Sequence, residues 1–204
     1  PGNNSLPASL EILARLRQDG EKGKIIYVDN ETNKNWQDDL EMTVEYFRVF
    51  YQLKKSRVGL IGNPSEWLVA SSPDASTIKD RWGVNVIKIE LDELKTKIGE
   101  VKEEQIEEEQ YYLTNNATET KEPSKKEIKN VVKVYAALKE IVKNYDLTSI
   151  SVRCFDLVTD LKTTGCFALS KLNDEGIAAG CEGDLVSTLG MLWANYLTEQ
   201  TVWM

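Results

Sequence analysis

Two carboxylates one residue apart, Glu182 and Asp184, flank Gly183 in the stretch GIAAGCEGDLVSTLGMLW. Hard oxygen donors at this spacing suit a divalent cation such as Mn²⁺ or Mg²⁺, and one of them could serve as a general base. If the apolar run before them is a strand that continues through them, alternation puts both side chains on the same side of the chain. Gly183 allows a close backbone approach or an unusual dihedral. A plainer reading fits the same letters: Asp184 caps the helix LVSTLGMLWANYL, and Glu182 sits on an exposed turn. Spacing alone leaves both readings open. The chain contains no histidine, so no imidazole assists these carboxylates.

A second stretch, GLIGNPSEWL, places glycines after a short apolar run, as in a phosphate-binding turn. It lacks G-x-G-x-x-G and the P-loop lysine, which argues against a nucleotide. The better reading is a loop that lines a cleft at a strand's carboxyl end. Trp67 is then a candidate sugar-stacking ring, with a core tryptophan as the alternative. Arg153 ends the run SISVR and could reach substrate hydroxyls; a structural salt bridge is the competing role. The three cysteines, Cys154, Cys166 and Cys181, match no zinc spacing. They are expected to be buried, reduced thiols of a cytoplasmic protein.

The elements that must position these residues follow from periodicity. SLEILARLR repeats apolar residues at helical spacing, and KIIYVDN reads as a short strand. WQDDLEMTVEYFRVFYQLKKS reads as a long helix with Leu40, Val44, Phe47 and Tyr51 on one stripe. RVGLIGN and VNVIKIEL are strands. The charge-dense segment 92–113 reads as a solvated helix, and NNATETKEPS as a loop. Ser124 and Glu127 have capping-box spacing, opening a helix with Ile128, Val131, Val132, Tyr135, Leu138, Val142 and Tyr145 on its buried face. SISVRCF and GIAAGCEGD are buried strands, and TVWM begins another.

Strands alternating with helices imply βαβ units and a mainly parallel sheet. The expected fold is therefore α/β: a three-layer Rossmann-like domain over 57–204, preceded at 1–56 by the tail of a second α/β domain and a linker helix. A chain of 204 residues is long enough for a real core. Its net charge of −8 argues against a nucleic-acid partner. No apolar stretch approaches the roughly 20 residues of a membrane helix, so no membrane partner is expected. No signal peptide is apparent either.

With these residues in place, RCFDLVTDLKTTGCFALSKLNDEGIAAGCEGDLVSTLGMLW resembles the L-fucose isomerase-like family, which is related to the L-arabinose isomerases. The motifs are Cys154-Phe155, the Cys-x-A-x-S-x-L-N-D-x-G segment from Cys166 to Gly176, and C-E-G-D from Cys181 to Asp184. NSLPASLEILARLR and RVGLIGNPSEWLVAS are also similar to the middle of such proteins. The resemblance implies a metal-dependent aldose–ketose isomerase acting on a monosaccharide, with proton transfer between C1 and C2 through an enediol. It implies Glu182 as catalytic residue and ligand of a divalent metal, Mn²⁺. On the residue reading, Asp184 orients the turn or stands behind the metal ligands, and Arg153 and Trp67 are the candidates for binding substrate. The resemblance further implies a cytoplasmic homo-oligomer. Against the family pattern the chain reads as an internal piece, lacking a β-rich C-terminal domain with its histidine and inactive by itself. A non-catalytic sugar-binding α/β module is the alternative. Paired carboxylates at a strand end favour the enzyme, and which sugar it takes is not legible.

Overall fold

A computed structural model of the chain describes residues 5–28 and 35–204. The chain divides into two compact units, Pro1–Arg48 and Val49–Met204. The first contains α1 (Ser5–Gln18) and the early turns of α2 (Trp36–Lys55). No residue of α1 is buried, and Leu40, Val44 and Phe47 on the expected stripe are exposed. The strand expected at KIIYVDN is not formed over residues 24–28, and its last two residues lie outside the described ones. A strand exists through its ladder to a neighbour, and each strand of the described sheet lies beyond residue 56.

The second unit is built on four parallel strands, β1 (Arg57–Ile61), β2 (Asn85–Ile89), β3 (Ser149–Val152) and β4 (Ala178–Cys181), in the order β2-β1-β3-β4. The register pairs Ile61 with Ile89 and with Val152, and Val152 with Cys181. The strands therefore end at one level, which makes a common carboxyl edge. The strands expected at RVGLIGN, VNVIKIEL, SISVRCF and GIAAGCEGD are all present, with β3 and β4 ending three residues earlier than those runs.

Helices cover both faces, giving the expected three layers. Ile61, Ile89, Ile150, Val152 and Ala179 pack against α4 (Leu91–Glu100), α6 (Lys125–Asn144), α7 (Phe155–Leu161) and α8 (Cys166–Asp174). Val58, Leu60 and Ala178 pack on the other face against the end of α2, α3 (Ala75–Trp82) and α9 (Leu185–Thr198). The period of two along β1 explains this division: Val58 and Leu60 point one way, Ile61 the other. Gly180 lets α9 lie close to β4, since a Cβ there would sit 2.0 Å from Thr188 Oγ1.

The capping box is formed as expected. Glu127 N–H donates to Ser124 Oγ at 3.3 Å, and Ser124 N–H donates to Glu127 Oε2 at 2.7 Å. Two other expectations are corrected. Segment 92–113 is not one solvated helix; α4 stops at Glu100, a 3₁₀ turn follows at Glu103–Gln105, and α5 spans Glu107–Asn116. The break is driven by packing, because Leu94, Val101 and Ile106 are all buried and an unbroken helix would not aim all three inward. TVWM forms no strand, although Cys181 N–H contacts Met204 Sδ at 3.5 Å beside β4.

The cysteines also depart from expectation. Cys154 and Cys181 are paired in a disulfide with a Cα–Cα distance of 6.2 Å, and Cys166 is free and exposed. The pairing follows from register: Cys181 is opposite Val152, so the ends of β3 and β4 bring the two thiols together. Sequence spacing alone did not show this adjacency.

Candidate active site

The loops after β1 and β3 leave the sheet toward opposite faces. The chain after β1 runs to α3 on one side, and the chain after β3 runs to α7 on the other. Such a reversal opens a crevice at the carboxyl ends of parallel strands, where ligands bind in folds of this kind. The sequence-derived candidates converge on this edge: Trp67 follows β1, Arg153 follows β3, and Glu182 and Asp184 follow β4.

Strand β4 ends at Cys181, so the alternation that would place both carboxylates on one side does not extend to them. Glu182 and Gly183 instead adopt successive left-handed conformations, φ 61° and 74°. Two backbone bonds fix the turn: Gly183 N–H donates to Val152 O at 3.1 Å and Asp184 N–H to Cys181 O at 3.0 Å. The loop after β1 closes on it, with Ser65 N–H donating to Glu182 O at 2.9 Å. Gly183 is required by this approach, because a Cβ would lie 2.8 Å from Pro64 Cα. A non-glycine residue held at positive φ is a strained conformation that clusters at functional sites.

The two carboxylates have different roles. Asp184 caps α9: its Oδ1 accepts from Ser187 N–H and its Oδ2 from Ser187 Oγ–H, both at 2.8 Å. It is buried, and its oxygens are committed to the helix. Glu182 turns to the loop after β1, where its Oε2 accepts from Trp67 Nε1–H at 2.7 Å. Trp67 is 60% exposed, so it is not the core residue of the alternative reading. It meets Phe155 edge to face, with ring centroids 5.6 Å apart.

Arg153 has the structural role of the two readings. Its Nε donates to Asp156 Oδ2 at 2.8 Å, and its guanidinium donates to Pro64 O at 3.0 Å. It thus ties the loop after β1 to the start of α7. Ser65, Phe155 and Ser187 were not singled out by sequence reasoning. Only the position of Phe155, directly after Cys154 in a quoted motif, hinted at it. Among the described residues no group of three His, Cys, Asp or Glu side chains is arranged to hold a metal. With both Asp184 oxygens engaged by the helix cap, the uncommitted carboxylate oxygen of the motif is on Glu182.

The parallel sheet with helices on both faces defines a Rossmann-like α/β domain. Residues 69–196 match the family model of the L-arabinose isomerase central domain, and the chain belongs to that family. It is similar to proteins named sulfoquinovose isomerase. The one from Alkalicoccus urumqiensis is 25% identical over 153 residues, covering 72% of this chain and 33% of that protein. The one from Clostridium sp. (strain MSTE9) is 26% identical over 151 residues, covering 74% of this chain and 34% of that protein. The one from Priestia aryabhattai is 23% identical over 172 residues, covering 79% and 36%. The chain thus spans about a third of the length of the curated relatives it matches. No helix among the described residues is long and apolar enough to cross a membrane.

Proposed function

We propose that this chain is the sheet-bearing central part of an aldose–ketose isomerase and that Glu182 is its acid–base residue. The observation that carries the reading is the Glu182 carboxylate, held at a strained turn on the carboxyl edge of the sheet, within the segment matched by the family model.

In this reading Glu182 takes the proton from C2 of the open-chain aldose. The C–H electron pair becomes the C1–C2 double bond as the C1 carbonyl pair moves onto O1, and the O2 proton passes to O1. Return of the C2 proton from Glu182 to C1, as an O2 pair forms the C2 carbonyl, gives the ketose. Trp67 supplies an exposed apolar face for the sugar's C–H surface, and Arg153 holds the loop on which that face is carried. A divalent cation, Mn²⁺ in the fucose isomerase-like scheme, would polarise the two sugar oxygens. It would need ligands beyond Glu182. The substrate is a monosaccharide, with L-arabinose, L-fucose, D-galactose and sulfoquinovose as the panel to test.

The test is steady-state ketose formation by the enzyme with Glu182→Gln, with circular dichroism as a check on folding. Loss of general acid–base catalysis lowers the rate by about 10² to 10⁴. A well-folded variant that keeps more than about a tenth of the parental rate removes Glu182 from the mechanism. Binding of a panel sugar without turnover by the parent would favour a non-catalytic sugar module instead.

A further inference from the structure

The indole of Trp67 does more than offer a face. Its one donor, Nε1–H, is committed to Glu182 Oε2 at 2.7 Å, a length typical of a charge-assisted bond. The same loop grips the same residue through its backbone, by Ser65 N–H to Glu182 O at 2.9 Å. Pro64 abuts Gly183 so closely that a Cβ there would collide with its backbone. Phe155 buttresses the indole at 5.6 Å, and Arg153 anchors the loop through Pro64 O. Glu182 Oε1 has no hydrogen-bond partner among the described residues.

From this clamp we infer that Trp67 is a positioning residue: it fixes the rotamer of the Glu182 carboxylate and leaves one oxygen directed to chemistry. A glutamate side chain at a half-buried turn otherwise samples several rotamers, and ordering it costs entropy. A group that must meet a carbon-bound proton gains from having that cost met before substrate arrives. An indole suits the task. It donates one hydrogen bond, accepts none, and cannot exchange a proton with the carboxylate it holds. The meaning of the role rests on the isomerase reading; the bond itself does not.

The test uses the ¹⁵N-labelled chain and its tryptophan indole N–H resonances, with Trp67→Phe identifying the Trp67 signal by its loss. In Glu182→Ala that signal should shift upfield and exchange faster with water. The signals of Trp36, Trp82, Trp193 and Trp203 should stay in place. Glu182→Gln should give an intermediate shift, because an amide oxygen accepts a weaker, neutral bond. Reciprocally, the carboxyl ¹³C resonance of Glu182 should move in Trp67→Phe, which keeps an aromatic ring while deleting the donor. Unchanged backbone resonances in β1, β3 and β4 confirm that each variant is folded. A Trp67 signal identical in the parent and in folded Glu182→Ala would overturn the positioning role. Absence of ketose formation by the enzyme would sink the isomerase reading and leave a shifted Trp67 signal standing, so the two failures are distinguishable.

Discussion

Glu182 is held where a side chain is least comfortable. For an L-residue the left-handed region costs roughly 1–2 kcal/mol, and Glu182 adopts φ 61°. Glycine carries no such penalty. Comparing Glu182→Gly with Glu182→Ala isolates the strain, since both remove the carboxylate and its bond to Trp67. The glycine variant should be about 1 kcal/mol more stable than the alanine variant, measured by urea denaturation. An alanine variant as stable as the glycine one would show that the turn is relaxed. Asp184 next door has an ordinary structural task. Asp184→Ala should cost about 1 kcal/mol, whereas Asp184→Asn, which retains a capping oxygen, should cost less than half of that. The pair of carboxylates was visible in the sequence. Their division of labour was not, because it depends on where the strand stops, and the letters E-G-D do not mark that point.

At the level of elements, β1, β3 and β4 were legible as short apolar runs buried on both faces, and α6 by an apolar set with a period of about 3.6. Periodicity misplaced what depends on partners. Segment 92–113 keeps helical composition throughout, yet inward-facing Val101 and Ile106 break it. The adjacency of Cys154 and Cys181 comes from strand register, a long-range property. The loop after β1 was legible as a cleft loop, but its closure on the turn after β4 was not. That closure predicts a steep cost at Gly183: alanine there meets both a positive φ of 74° and the Pro64 backbone. Gly183→Ala should destabilise by about 1–3 kcal/mol, the usual scale of overpacking, and a thermal melt equal to the parent's would contradict the close approach. A second inter-element contact ties α6 to α8, where the Tyr135 hydroxyl donates to Glu175 and accepts from Lys139 Nζ at 2.9 Å. Burial, and then the bond to Glu175, pushes the Tyr135 phenol up from 10.0 to about 12. A pKa raised on folding gives stability that is full below the unfolded value and lost as pH rises through the folded one. The stability advantage of the parent over Tyr135→Phe should therefore shrink between pH 10.0 and about 12. Parallel stability curves across that range would rule out the coupling.

Across the whole molecule, burial is distributed unevenly, and that has a kinetic consequence. In α1 no side chain is buried, and Leu6, Leu10 and Ile12 remain exposed. In the sheet, by contrast, Val58, Ile61, Ile150 and Val152 have no exposed surface at all. Helical stability in proteins comes mainly from packing one face, since isolated helices of fewer than about 12–15 residues are marginal in water. α1 has 14 residues and lacks that packing. Its amides should accordingly open by local fraying at little free-energy cost, while those of β1 and β3 should exchange only through large-scale unfolding. Hydrogen exchange followed by mass spectrometry checks this directly. Peptides from residues 5–18 should be fully deuterated while those covering 57–61 and 149–152 remain protected. The carboxyl edge then acquires its precision from the most protected part of the molecule, because Glu182 follows directly on β4 and Arg153 on β3. Equal protection of α1 and β3 would mean that α1 is held by packing stronger than its exposed side chains provide, and the uneven distribution of stability would have to be abandoned.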